Sequence, residues 1–505
     1  MNVKNRRAFS WGLGLLLLGC LMLSPFLQAQ NFEAIAKKIK VKTLKNGLKF
    51  IVLERHEAPV VYFHVYADVG SANESYGITG ISHLLEHMAF KGTKTVGTKN
   101  YEEESKILEE MDALYARIRA EEAKPHPDEA KLKKMKAEFE ALRQKAKEYV
   151  ITDEFVDLLM QEGDRSVNAY TSNDATQYIN SLPSNKVEFW MAITSDRFLN
   201  PVFREFYKEK EVVMEERRLS VETRPLGRLL EDFQATAFKA HPYHHEVIGH
   251  MSDIQAITRE DVRHYFRKYY NPANLTVAIV GDVNPEEVFR LAELYFGRIP
   301  SGEKPEPVRT VEPEQWGERR VAVEAMAQPF LLIGYHRPSV RHQDNFALEA
   351  LASILGEGRS SRLYRRLVKE TQVAIECGVI NGFPGDKFPH LIIFYAVPAR
   401  GHSVQECLGL IEEEIEKVKK ELPKQEELLK YKRQAGMSLL QQMKSHARMA
   451  ALLTYAEVIL GDWRELFRQI EKINAVTAED VQRVARKYLI KKNRTIGELV
   501  PQSSR

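Results

Sequence analysis

Ile254-Gln-Ala-Ile-Thr258-Arg-Glu-Asp261-Val262 returns later in the same chain as Ile473-Asn-Ala-Val-Thr477-Ala-Glu-Asp480-Val481. The offset, 219 residues from Ile254 to Ile473, holds without a gap through Arg267-Lys-Tyr269 against Arg486-Lys-Tyr488 and on to Thr276 against Thr495. Each copy reads as a Thr N-cap, a helix and then a strand. A repeat of this length carries a whole structural unit, so the chain is read as a duplication into two related α+β domains. Between the copies, Ile299-Pro-Ser-Gly-Glu-Lys-Pro-Glu-Pro307 has the composition of a linker. The domains are placed at 30–298 and 319–505, joined across 299–318.

Only the first domain carries a cluster of chemically active residues, in Gly80-Ile-Ser-His83-Leu-Leu-Glu86-His87-Met-Ala-Phe-Lys-Gly92-Thr93. On a helix, His83 and His87 stand one above the other on one face. Two imidazoles at that spacing can grip one tetrahedral zinc ion. Glu86 then stands where a general base must be to take a proton from water activated by the metal. This is the inverted-zincin order of residues, His-x-x-Glu-His. A solvated helix face is the plain alternative. Against it, Leu84, Leu85, Met88 and Phe90 make the helix largely apolar, and burying two His and a Glu without a partner is costly.

A third donor must come from elsewhere. Glu209-Lys-Glu-Val-Val-Met-Glu-Glu216-Arg-Arg offers Glu209 and Glu216 two helical turns apart on one face. A Glu-rich run is more often an ordinary charged surface helix.

The combination resembles the pitrilysin/insulinase family of inverted zinc metallopeptidases, in the style of bacterial relatives of the mitochondrial processing peptidase. The motifs are His83 to His87, Asn168-Ala-Tyr-Thr-Ser172, and Glu209 to Glu216, and the resemblance runs over about 41–501. It implies a duplicated α/β-sandwich metallopeptidase fold and one zinc per chain, held by His83, His87 and Glu216. It implies that Glu86 is the base, that Glu209 orients a ligand, and that Asn168, Ala169 and Tyr170 lie on an edge strand that pairs with substrate backbone.

The family's usual connection after the metal helix is one modest helix, whereas residues 93–168 hold a long charged segment here. Ile107, Leu108, Met111, Leu114 and Ile118 recur at helical spacing, as do Leu132, Met135, Phe139 and Leu142. Lys124-Pro-His-Pro-Asp128 breaks the run, so an inserted helical hairpin is expected over 101–150. An insertion of about fifty residues between Thr93 and Val150 explains the distance from His87 to Glu216. Upstream, Asn46-Gly47 signals a hairpin turn, and Val61, Phe63 and Val65 alternate with Tyr62, His64 and Tyr66 in a strand.

The second domain departs from the family where it matters most. Self-sufficient relatives carry an Arg, and a Tyr seven residues on, after Ser-Arg-Leu. Aligned on Ser361-Arg362-Leu363, these positions hold Val368 and Ile375, which donate no side-chain hydrogen bond. Donors to developing negative charge are worth about 2.7–4 kcal/mol each. The resemblance therefore implies a homologous second subunit that supplies them.

The remaining features set bounds. Lys4, Arg6 and Arg7, an apolar stretch over 11–23 and Leu27-Gln-Ala29 read as a signal peptide over residues 1–29, implying export to the periplasm. Secretion, or anchoring through the apolar segment, is the alternative. Without it, 73 basic residues become 70 against 70 acidic. A chain near neutrality, with no basic stripe interleaved with aromatics, is not expected to bind nucleic acid, and no later stretch is long and apolar enough for a membrane span. Cys377 and Cys407 remain, with nothing in their spacing that demands a disulfide. His241, His244 and His245 have no regular ligand spacing and read as structural. The function expected is a zinc endopeptidase acting on peptides or unfolded polypeptides in a closed chamber. The alternatives are a non-catalytic assembly subunit or a peptide-binding module.

Overall fold

A computed structural model describes residues 34–502. The signal-peptide reading of residues 1–29 lies outside them. Eleven strands lie in two sheets among the described residues. The first half contributes β1 (Ile39–Thr43), β2 (Lys49–Glu54), β3 (Val60–Ala67), β4 (Asn168–Thr171), β5 (Thr176–Pro183) and β6 (Leu275–Gly281). They are ordered β1-β2-β6-β3-β5-β4, antiparallel except for the β2–β6 pair. The second half contributes β7 (Arg319–Ala325), β8 (Phe330–Arg337), β9 (Ala374–Phe383), β10 (His390–Pro398) and β11 (Arg494–Pro501). Their order is β7-β11-β8-β10-β9, again with one parallel pair, β7–β11.

The two orders superpose strand for strand, with β1 the extra edge of the first. This is the expected α+β duplication. Local chemistry repeats with it. Thr258 and Asp261 form a reciprocal capping box on the helix Arg259–Tyr269, and Thr477 and Asp480 do so on Ala478–Tyr488. Asn274 then donates to the carbonyl of Tyr269, and Asn493, 219 residues on, donates to that of Tyr488. Each Asn thus ties the end of its helix to the start of its strand. The β1–β2 turn forms at Gly47, whose φ of +97° no β-carbon would tolerate cheaply.

Each sheet packs one face on its own helices and hands the other to a helix from the opposite half. Four helices of the first half carry or brace the His83 and Glu216 segments: α1 (Ile81–Met88), α2 (Tyr101–Glu122), α3 (Glu129–Lys147) and α4 (Phe206–Arg217). Two more make the exchange: α5 (Pro225–Ala237) crosses to the second sheet, and α6 (His446–Tyr455) crosses to the first. Leu229 and Phe233 of α5 join Leu332, Leu391, Ile393 and Leu499 in one buried cluster. Met449, Ala450 and Leu453 of α6 join Ile51, Tyr62, Ala278 and Val280 in another. Space for Phe233 is made by Gly334 and Gly497, where an added β-carbon would lie 2.7 and 2.8 Å from its ring. Because α6 covers the outer face of the first sheet, both alternating sets on β3 are buried, including Tyr62, His64 and Tyr66.

The hairpin expected over 101–150 forms as α2 and α3, capped by Asn100 and Asp128. Its distal end has a small core of its own, from Leu114, Ile118, Leu132 and Met135. The stretch 300–318 contains neither helix nor strand. Cys377 and Cys407 are buried free thiols, so no disulfide joins them.

Candidate metal centre

Helix α1 begins at Gly80, whose φ of +89° and contact with the carbonyl of Ile248 leave no room for a side chain. The Glu74 carboxylate accepts the amides of Gly80 and Ser82 at 2.8 Å each, holding the first turn. Burial pushes that carboxyl up to about 8 in spite of both donors. The apolar residues Ile81, Leu84, Leu85 and Met88 face the core. The opposite face carries His83 and His87, whose ring centroids are 4.9 Å apart.

Glu216 reaches this pair from α4. Its Oε2 lies 3.7 Å from Nε2 of His83 and 3.7 Å from Nε2 of His87. One ligand atom from each of the three falls within 4.8 Å of the others, and no other such group occurs among the described residues. Donors around a tetrahedral zinc with bonds of about 2.0–2.1 Å stand about 3.3 Å apart. Two neutral imidazoles and one carboxylate are a donor set that zinc accepts, and the residues present fit the ion. Burial, with the neighbouring His87, holds His83 down to about 4, in the neutral form a ligand requires.

Glu209 approaches from the other side. Its Oε2 lies 3.4 Å from Nδ1 of His87, and its Oε1 is 2.8 Å from Nζ of Lys91. Burial alone would raise this carboxyl, but His87 and Lys91 together hold it at about 2. His87, which burial would lower, is raised by Glu209 and Glu216. Nδ1 of His83 has no protein partner among the described residues.

Glu86 lies in the same cleft as His83 and Glu216 without joining their cluster. Thr171 donates a hydrogen bond of 2.6 Å to its Oε2. Burial raises the Glu86 carboxyl above the usual range, with Thr171 opposing. Strand β4, which carries Asn168, Ala169 and Tyr170, is the outermost strand of the first sheet. Asn168 and Tyr170 are exposed, while Ala169 is buried. The cleft that Ala169, Tyr170, Glu86 and Glu216 line has a volume of about 410 Å³.

Two partners escaped the reading of the sequence. Thr171 was visible as the residue two places beyond Ala169, on the same strand face. Lys91 was visible four residues beyond His87. The positions Val368 and Ile375 lie in the second half, Ile375 on β9 with 57% of its surface exposed. The nearby guanidinium of Arg366 is engaged by Glu413 at 3.2 Å. His241, His244 and His245 are not part of the His83, His87 and Glu216 group; Nδ1 of His241 accepts the amide of Tyr243 at 3.1 Å.

The hairpin braces the helix that brings Glu209 and Glu216 in. Arg204, just ahead of α4, donates to Oε1 of Glu104 at 2.9 Å and to the carbonyls of Lys91, Thr93 and Val96. Both side chains are almost wholly buried. Tyr207 of α4 packs between Tyr115 and Phe139 of the hairpin. Metal helix, hairpin and α4 therefore form one tied unit.

Comparison with known proteins agrees with this arrangement. Residues 49–117 and 140–250 match the model for insulinase, peptidase family M16, and residues 256–435 match that for the peptidase M16 inactive domain. Residues 118–139, in the outer part of the hairpin, fall between the two stretches of the first match. The chain is 28% identical over 483 residues to the zinc protease PqqE of Helicobacter pylori, covering 94% of this chain and 95% of that one. It is 24% identical over 497 residues to a probable mitochondrial-processing peptidase subunit beta of Arabidopsis thaliana, covering 94% and 81%. A crystal structure of a protease from Helicobacter pylori matches with a TM-score of 0.76 at 27% identity, over 92% of this chain and 99% of that one. The periplasmic protease PqqL from Escherichia coli shares the fold, with a TM-score of 0.68 at 18% identity over 92% of this chain and 47% of its own. Two family models in tandem, over a duplicated fold with a His-His-Glu cluster in the first half, lead to one conclusion: this chain belongs to the insulinase family of peptidases, M16.

Proposed function

We propose that the chain is a zinc-dependent endopeptidase and the metal-bearing subunit of a heterodimer. The observation that carries the reading is the convergence of His83, His87 and Glu216 beside Glu86, in a cleft edged by β4. When bound, zinc supplies a Lewis acid that makes water a usable nucleophile near neutral pH.

The chain's own residues do the rest. Glu86, oriented by Thr171, takes the proton from the attacking water and returns it to the leaving amine. Glu209 fixes the His87 ring through Nδ1, which leaves Nε2 towards Glu216, free to serve as the donor that would hold the metal. Asn168, Ala169 and Tyr170 offer the free edge of β4 to an extended peptide, which grips backbone more than it reads sequence. Peptides and unfolded polypeptides fit that mode.

Dependence on a partner rests on Val368 and Ile375, which cannot donate to developing negative charge, and on Arg366, which is committed to Glu413. A homologous subunit supplies the missing donors. Export to the periplasm follows from the charged and apolar N-terminus, and no helix among the described residues is long and apolar enough to cross a membrane.

The test is peptide turnover by wild type and Glu86→Gln, each with zinc measured, with and without a co-expressed homologue. Weak turnover alone, strong turnover with the homologue, and a zinc-loaded but silent Glu86→Gln variant are expected. Zinc-free protein in every preparation would favour a non-catalytic assembly subunit. Full activity as a monomer would remove the heterodimer.

A further inference from the structure

Two carboxylates of α4 face the two ring nitrogens of His87: Glu216 stands 3.7 Å from Nε2, and Glu209 stands 3.4 Å from Nδ1. Glu209 lies in the first turn of that helix with 9% of its side chain exposed. Water scarcely reaches it, so its charge and its orientation depend on the protein groups it meets. A neutral imidazole gives it one hydrogen bond, to Oε2, and leaves the charge and the second oxygen uncompensated. The ammonium of Lys91 meets that second oxygen, Oε1, at 2.8 Å.

Lys91 is brought there by the chain itself. It follows His87 by four residues, just past the end of α1. Its carbonyl accepts from the guanidinium of Arg204, immediately ahead of α4, while its side chain turns to the first turn of that helix. The ammonium also lies 3.8 Å from Glu205 and 3.9 Å from Asp153. Asp153 is largely exposed, and Glu205 is held by Lys208 at 2.9 Å. Glu209 is therefore the carboxylate that depends on Lys91 most. Lys91 itself belongs neither to the His83, His87 and Glu216 group nor to the lining of the cleft.

We propose that Lys91 is a positioning residue of the metal centre. It pins Oε1 of Glu209, so that Oε2 stays on Nδ1 of His87, and through that chain of contacts it sets how tightly the site holds zinc. This rests on the zinc-peptidase reading above and adds to it a residue on which metal affinity depends. A brace that only held α1 against α4 would act without Glu209, whereas the role assigned here passes through it.

The experiment is zinc affinity, by competition with a chromophoric chelator, of the wild type, Lys91→Met, Lys91→Arg, Glu209→Gln and the double variant Lys91→Met/Glu209→Gln. Met keeps the aliphatic stem and removes the charge and the donors, whereas Arg keeps both. Lys91→Met should weaken zinc binding by roughly tenfold, and Lys91→Arg by much less. In the Glu209→Gln background Lys91→Met should change the affinity no further, since the contact it serves is already gone. Equal affinity in wild type and Lys91→Met would overturn the proposal. So would a tenfold loss that persists in the Glu209→Gln background, which would make Lys91 a brace. Should Lys91→Met fail to fold, Lys91→Gln takes its place, with the same loss expected and the same two outcomes against it.

Peptide turnover measured alongside, with the co-expressed homologue present, separates this claim from the reading it rests on. Zinc affinity that falls in Lys91→Met, with no turnover by the wild type, would keep the role of Lys91 and remove the hydrolase. An active wild type whose zinc affinity is untouched by Lys91→Met would keep the hydrolase and remove the role.

Discussion

Glu216 follows His87 by 129 residues in the chain, yet its Oε2 lies 3.7 Å from Nε2 of His87. Nothing local holds that distance. It is set by α4 lying against α1, and α4 is held in turn by Arg204 at its start and by the aromatic contacts of Tyr207 with the hairpin. The site is therefore as rigid as the contacts that close the long intervening loop.

Zinc content tests the cluster directly. Wild type should carry one zinc per chain by elemental analysis, and Glu216→Ala almost none. Glu209→Gln removes an orienting partner rather than a ligand, so it should weaken zinc affinity by about 10–100-fold. A Glu216→Ala protein that keeps its full zinc would exclude Glu216 as a ligand.

Breaking the buried pair should loosen the whole unit. Glu104→Gln leaves the Arg204 charge uncompensated in the interior and is expected to cost about 3–5 kcal/mol in denaturant melts. Replacing both residues by apolar ones should not restore stability. Arg204 also satisfies the carbonyls of Lys91, Thr93 and Val96, which would be left without a donor. Losses under about 1 kcal/mol would mean the pair is solvated.

Exchange of helices between the halves predicts coupling across them. Phe233→Ala should cost about 3–5 kcal/mol. Gly334→Ala places a methyl 2.7 Å from the Phe233 ring and should destabilise the wild type, but much less so in the Phe233→Ala background. A double-mutant cycle reads that coupling, and strictly additive effects would separate α5 from the second sheet.

Acid should weaken the seam under α6. His64 lies buried on β3, its Nδ1 2.9 Å from Oγ1 of Thr454, and burial holds it down to about 4. In the unfolded chain it titrates near the ordinary 6.5. As pH falls from about 6.5 to about 4 the unfolded state takes up this proton first, so stability drops through that window and the loss is complete below it. The full effect is about 3 kcal/mol from this residue. Thermal melts between pH 7 and 4 should fall less steeply for His64→Gln, and equal slopes would show that His64 is hydrated.

By itself the sequence determined what near neighbours control. Thr258 and Thr477 cap their helices because Asp261 and Asp480 sit three residues on. Asn46-Gly47 turns because of its own backbone, and His83 and His87 share a face because a helix repeats every 3.6 residues. The resemblance in three short motifs added the partner for those imidazoles.

Only the tertiary structure decided the rest. Which half covers each sheet was hidden, since α5 and α6 are equally apolar helices whether they pack at home or across the seam. Thr171 and Lys91 gained their roles from distances between segments that the sequence keeps far apart. Local pattern is written in adjacent residues, whereas desolvation and long-range pairing exist only once the chain has closed on itself.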